Sequence, residues 1–210
     1  MTKNNLILVL TLPFVMLLTP MVYAQTVTIG AQVWTAKNLN VTKFRNGEAI
    51  PQAKTNEEWK AAGDNKQAAW CYYNNDSAKV AKYGILYNWY AVNDPRGLAP
   101  AGYHIPSDAE WTKLSTFLGG EYAAGSKMKS TSGWEKNGNG NNSSGFSGLP
   151  GGTRVSGGTF DTIGINGNWW SSSEFDTYYS WTRFLSYPSG LVLRNRSTKT
   201  NGFSVRCLRD

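Results

Sequence analysis

The side chains with the greatest capacity for chemistry in this sequence are flat rings set beside arginines. Trp169-Trp170, Tyr178-Tyr179 and Trp181 lie among short polar residues, Asp176 falls between them, Arg194 and Arg196 follow, and Trp134 stands alone in a glycine-rich stretch upstream. A ring offers a sugar an apolar surface to stack on, while arginine, asparagine and serine hydrogen-bond its hydroxyls, and the same residue types anchor protein interfaces. Trp134, Trp169, Trp170, Asp176, Tyr178, Tyr179, Trp181, Arg194 and Arg196 are therefore the candidate ligand-binding set. Under strand alternation Trp169 and Trp170 face opposite sides, so one face fills the core and the other is free to meet a ligand.

Catalytic alternatives are thinner. His104 is the only histidine, so every Ser-His-Asp, Cys-His or multi-histidine zinc scheme would have to be built on it. It lies between Tyr103 and Ile105, where a structural histidine bonded to backbone is expected. Glu174, Asp176 and Asp161 could flank a cleft as glycoside hydrolysis requires. A chain with 14 acidic residues in 210 supplies such sets by chance, however, and solvated turn positions account for them. Calcium would be another use of loop oxygens, since it takes roughly six to eight of them without rigid geometry. Residues 137–142, Asp161 and Asp176 could contribute, although no EF-hand spacing is present. No catalytic residue is assigned.

The elements that position these residues are short. Thr26 to Ile29 and Gln32 to Thr35 read as two strands around a turn at Gly30 and Ala31. Thr55 with Glu58, and Ser107 with Glu110, form capping boxes that open helices, the second carrying Trp111, Leu114 and Leu118 at helical spacing and ending at Gly119-Gly120. Pro106 ahead of that cap stops an extended segment at residues 102–105. Residues 68–73 read as a strand, and residues 83–92 as a strand or a strand running into a loop. From 121 to 158 glycine, serine and asparagine dominate, with Met128, Trp134, Phe146 and Leu149 as anchors of an irregular ordered loop. Four strands are then expected at 168–173, 178–186, 191–196 and 202–208, antiparallel because their turns are short. In the last, Phe203, Val205 and Cys207 share an inward face.

The totals bound the class. With 22 glycines, 13% aromatic and 17% charged residues, the chain reads as one turn-rich α+β domain. Residues 1–24 form a leader: Lys3, an apolar run over 6–18, then Val22 and Ala24, small residues suited to cleavage before Gln25. Pro13, Pro20 and the shortness of the run disfavour an uncleaved anchor, so residues 25–210 form the mature domain, with no stable membrane span after cleavage. A secreted, periplasmic or cell-surface location follows. The formal charge of +7 becomes +6 without Lys3, but no run of clustered lysines and arginines marks a nucleic-acid surface. An oxidising compartment makes a disulfide between Cys71 and Cys207 the default expectation, with two isolated buried thiols as the alternative.

Several segments taken together are characteristic: Ile29-Gly30, Val33-Trp34 and Asn38-Leu39; Trp70-Cys71-Tyr72-Tyr73-Asn74; Tyr83-Gly84 with Leu86-Tyr87-Asn88-Trp89-Tyr90-Ala91-Val92; Gly102-Tyr103-His104-Ile105-Pro106 with Glu110-Trp111; and Gly202-Phe203-Ser204-Val205-Arg206-Cys207. In order and spacing they resemble the Fibrobacter succinogenes major paralogous domain family from about residue 27 to 210. The segment from His104 to Trp111 is more distantly similar to formylglycine-generating enzymes. The resemblance implies a C-type-lectin-like α+β fold, twisted antiparallel sheets flanked by two helices with long irregular loops. Leu98-Ala99-Pro100 stands where family members often carry cysteine, so a bridge through that position is absent. Three functions follow as expectations: a secreted non-catalytic binding module for glycan or another cell-surface ligand; a structural or adhesive envelope protein binding protein partners; or an enzyme of the formylglycine-generating type, for which reactive cysteines would be needed.

Overall fold

A computed structural model describes residues 25–210, and the expected leader lies outside the described residues. The chain opens with β1 (Thr26–Ile29), β2 (Gln32–Thr35), α1 (Asn56–Asp64), β3 (Trp70–Cys71), α2 (Val80–Tyr83), β4 (Leu86–Tyr87) and α3 (Trp89–Val92). It continues through β5 (Tyr103–His104), α4 (Asp108–Phe117), α5 (Glu121–Met128), β6 (Gly151–Arg154), β7 (Phe160–Ile163), β8 (Asn166–Glu174), β9 (Tyr179–Ser186), β10 (Leu193–Thr198) and β11 (Leu208–Arg209). The architecture is α+β, with small antiparallel sheets. One sheet has the order β1-β2-β11-β5, a second β10-β9-β8, and β3-β4 and β6-β7 form two-stranded ribbons.

Both capping boxes are made. The Thr55 and Ser107 hydroxyls accept from the amides of Glu58 and Glu110, whose carboxylates return to the cap backbone. Residues 83–92 divide: a two-residue strand is followed by α3, because the Asn88 side chain accepts from the Ala91 amide and caps a turn that the apolar run conceals. Helix α5 was not expected within the glycine-rich stretch. Gly125 is what lets it pack: a Cβ there would lie 2.3 Å from the Leu191 carbonyl oxygen and 2.4 Å from that of Gly190. Residues 202–207 do not form the alternating strand expected of them. Every one is buried, including Ser204 and Arg206, because this segment threads the middle of the molecule and pairs only by isolated bridges.

The sheet of β8, β9 and β10 divides the main core. Trp170 lies on one side with Trp89, Tyr87 and Phe203, and Trp169 on the other with Trp34, Trp111 and Phe146. Phe146 meets the rings of Trp34, Trp111 and Trp169 at centroid distances of 5.9, 5.8 and 5.7 Å, all edge-on, the arrangement that aromatic quadrupoles favour. Each such ring withdraws roughly 150–250 Å² from water, so these rings dominate the energy that holds the short elements together. A third cluster gathers Trp59, Cys71, Tyr73 and Leu86.

The rigid turn and the arginine-capped tryptophan

One face of the β9–β10 pair leaves the core as it runs toward the start of β9. Trp169 pairs with Arg183 and Arg183 with Arg194, forming one cross-strand row; Trp181 and Arg196 form the next, and Tyr179 and Thr198 the last. The N-terminus of α4 covers the first row: Arg183 donates to the Asp108 carboxylate at 2.7 Å, to the Asp108 carbonyl and to the Thr112 hydroxyl. Because α4 begins at Asp108, the next rows lie beyond its end and emerge.

On the emerging rows the guanidinium of Arg194 lies 3.3 Å from the ring centre of Trp181, covering one face of the indole, and Phe175 meets that ring edge-on at 5.0 Å. Arg194 is held there by paired bonds to both oxygens of Asp108, the carboxylate that also takes Arg183. Burial alone would raise the Asp108 carboxyl, but bonds from Arg194 and Arg183 outweigh it and hold the group below the usual carboxylate range. Arg196 lies over Phe175 at 4.8 Å, and among the described residues no carboxylate pairs with it.

The turn between β8 and β9 is fixed by its own polar groups. The Asp176 carboxylate accepts from the amides of Tyr178 and Tyr179, both at 2.8 Å, and the Tyr179 carbonyl takes the amides of Phe175 and Asp176. Lys199, nearly buried, donates to the carbonyls of Asp176 and Thr177 and pairs with Glu174. On this pinned turn three rings face solvent: Tyr178 at 74% exposure, Phe175 at 40% and Tyr179 at 37%. Large exposed rings gathered on one ordered turn mark recognition surfaces more often than idle surface.

Of the expected ligand-binding set, the structure brings Asp176, Tyr178, Tyr179, Trp181, Arg194 and Arg196 together here, with Asp176 acting as the brace of the turn. Trp134, Trp169 and Trp170 are corrected to core residues. All three are buried, and their indole N–H groups are spent internally, Trp134 on the Gly148 carbonyl, Trp169 on Asn38 and Trp170 on the Tyr87 carbonyl. For Trp169 and Trp170 the reason is that both faces of β8 are covered, one by α4 and residues 129–149, among them Trp134, and the other by α3 and residues 202–207. Phe175, Asp108 and Lys199 were missed. Only Phe175 carried a signal, as a ring in a polar turn; the other two depend on partners 86 and 25 residues away in the chain.

The expected disulfide is not formed. Cys71 and Cys207 are free and buried in different clusters, Cys71 beside Trp59 and Tyr73, and Cys207 beside Tyr87 and Val205. Burial pushes the thiols up to about 11 and about 12. His104 is also corrected: its ring nitrogens meet the carboxylates of Asp210 at 2.7 Å and Glu110 at 2.9 Å, where backbone partners were expected. Several of the oxygens considered for calcium accept from neighbouring amides, Asn139 from Trp134, Asn141 from Ser143, Asn142 from Ser147 and Asp161 from Thr162. Among the described residues no group of three or more His, Cys, Asp and Glu side chains is arranged to hold a metal ion.

Fold and site together define an α+β domain that presents a rigid aromatic and arginine surface at one end of its three-stranded sheet. The chain belongs to the Fibrobacter succinogenes major domain family, whose model matches residues 27–209. No match was found among curated proteins, and none among solved structures.

Proposed function

We propose that this chain is a secreted, non-catalytic binding module that takes a cell-surface glycan on the turn between β8 and β9. The observation that carries the reading is the set of three exposed rings, Phe175, Tyr178 and Tyr179, on a turn locked by Asp176 and Lys199. Rings held in place lose little entropy on stacking against a sugar, and Arg196 adds donors for hydroxyl or acidic groups beside them. The lectin-like fold implied by the sequence resemblance and the expected export agree with it. Thiols shut in the core speak against formylglycine-generating chemistry, which would need one at the surface.

A glycan array and pull-down on insoluble polysaccharides, using wild type and Phe175→Ala/Tyr178→Ala, test the reading. Binding that falls at least about tenfold in the variant is expected, since stacked rings contribute on the order of 1 kcal/mol or more each. Failure of the wild type to bind any glycan, or equal binding by the variant, would overturn it. The same tyrosines and arginines suit a protein interface. Capture of one envelope protein by wild type and not by the variant, with no glycan bound, would establish the adhesive alternative.

A further inference from the structure

Two adjoining cavities of about 540 and about 500 Å³ lie where the segment after β2 passes α2 and the loop before β6. They share Gln25, Lys37, Asn38, Ala81 and Lys82 and so form one groove. Its size is that of a ligand site and larger than a single small ion needs. Among the described residues no aspartate or glutamate lines either part. The lining carries three cations, Lys37, Lys82 and Arg206, among the polar side chains of Gln25, Asn38, Ser130 and Ser147 and apolar patches at Val27, Val41 and Leu149.

Arg206 makes the groove more than a pair of surface lysines. It is 1% exposed. Its guanidinium donates to Asn38 at 2.7 Å, to the Thr35 carbonyl at 2.7 Å and to the Ser147 carbonyl at 3.2 Å, all neutral acceptors. That leaves two of the roughly five N–H groups an arginine carries without an acceptor. Burial pushes its pKa down to about 9, as it does for a charge with no counter-ion. Lys37 and Lys82 are exposed, and among the described residues neither has a carboxylate partner, whereas Lys60 and Lys79 are each paired with one.

The geometry points to this groove as a binding site for an acidic saccharide chain, with a carboxylate or sulfate group seated between Lys37, Lys82 and Arg206. The amide and hydroxyl side chains along the groove match sugar hydroxyls, and the three cations supply the charge-assisted bonds that a neutral sugar would leave unused. The site shares no residue with the turn between β8 and β9, so it stands or falls separately from the function proposed for that turn.

The test is calorimetric titration of the purified protein with an oligogalacturonate, a sulfated galactan oligosaccharide, neutral cello-oligosaccharide and inorganic sulfate. Lys37→Gln/Lys82→Gln is the working variant, because both residues are exposed and its fold should hold. Lys60→Gln/Lys66→Gln removes the same charge elsewhere and serves as control. At least one acidic oligosaccharide should bind, its affinity falling as salt rises, while the neutral one does not. The groove variant should weaken that binding about tenfold or more, and the control and Phe175→Ala/Tyr178→Ala should leave it unchanged. Binding of inorganic sulfate alone, of neither acidic chain, or equally of the neutral chain would overturn the proposal. Equal losses in groove variant and control, or a loss only in the turn variant, would overturn it too.

Discussion

Asp108 is the carboxylate on which the exposed end of the sheet depends, and Asp108→Ala measures how much. Arg183 is 2% exposed at its side chain and, among the described residues, pairs with no other carboxylate, so the substitution leaves a buried guanidinium with the Asp108 carbonyl, the Thr112 hydroxyl and the Thr182 carbonyl. Breaking one side of a buried pair costs about 3–5 kcal/mol. Asp108 is itself 16% exposed, which favours the lower end, about 3 kcal/mol. At roughly 2–4 °C per kcal/mol for a domain of this size, thermal unfolding at pH 7 should fall by about 6–12 °C. Arg194→Ala removes the outer partner, 47% exposed, and should cost below about 1 kcal/mol. Because the Asp108 carboxyl titrates below its ordinary value in the fold, its contribution is present above about pH 3.9 and is lost as pH falls through the lower folded value. The gap between wild type and Asp108→Ala in thermal scans should therefore close in acid. A neutral-pH shift for Asp108→Ala no larger than that for Arg194→Ala would refute the view that the buried member carries the pair.

His104 between Glu110 and Asp210 behaves with the contrary sign. Burial lowers its pKa, but the bonds it donates to Asp210 and Glu110 outweigh that and leave the group raised, so its stabilisation is complete below about pH 6.5 and is lost as pH rises through the folded value. At 38% exposure the effect is below about 1 kcal/mol, and His104→Gln should narrow the stability gap to nothing in alkaline scans, while a gap independent of pH would count against the clip. Cys71 and Cys207 should resist a thiol reagent in the native state and give two thiols per chain in denaturant without reductant; recovery of none would show that a bridge forms after all. Lys129→Met should cost roughly 2–4 kcal/mol in urea unfolding. The lysine amine donates to the carbonyls of Ser186, Tyr187 and Ser189 from a buried position, and methionine fills the space but leaves all three carbonyls without that donor.

Much of the frame was legible because its signals are local. A capping box needs four consecutive residues, and the β1–β2 hairpin needs two alternating runs and a turn, so α1, α4 and these strands fell where expected. Helix α3 was not legible, since Leu86 to Val92 is apolar throughout and only the Asn88 cap distinguishes helix from strand. The fate of Trp169 and Trp170 depended on what covers each face of β8, and those covers come from α4 and from residues 202–207, far off in sequence. The turn rings were legible for the opposite reason. Tyr178, Tyr179 and Trp181 sit beyond the reach of α4, and a polar turn next to them was visible in the sequence itself.

The basic balance of the chain is explained in part by backbone carbonyls that lysines and arginines collect. Arg45, itself exposed, donates to the carbonyls of Ala99, Pro100 and Tyr103. Arg154 donates to those of Ala53, Thr55 and Gly158, Arg206 to those of Thr35 and Ser147, and Lys129 to three more. None of the four forms a salt bridge among the described residues. A fold in which most strands are two to four residues long and joined by long ordered loops leaves many backbone carbonyls without a ladder partner, and each must be satisfied where water cannot reach. A lysine or arginine brings several donors on a flexible stem and can gather carbonyls from segments remote in sequence, which an aspartate or glutamate cannot do. The excess of positive charge is therefore in part a consequence of irregular architecture, and on its own it does not call for an acidic partner. Arg206, alone among the four, lies on the groove that Lys37 and Lys82 also line.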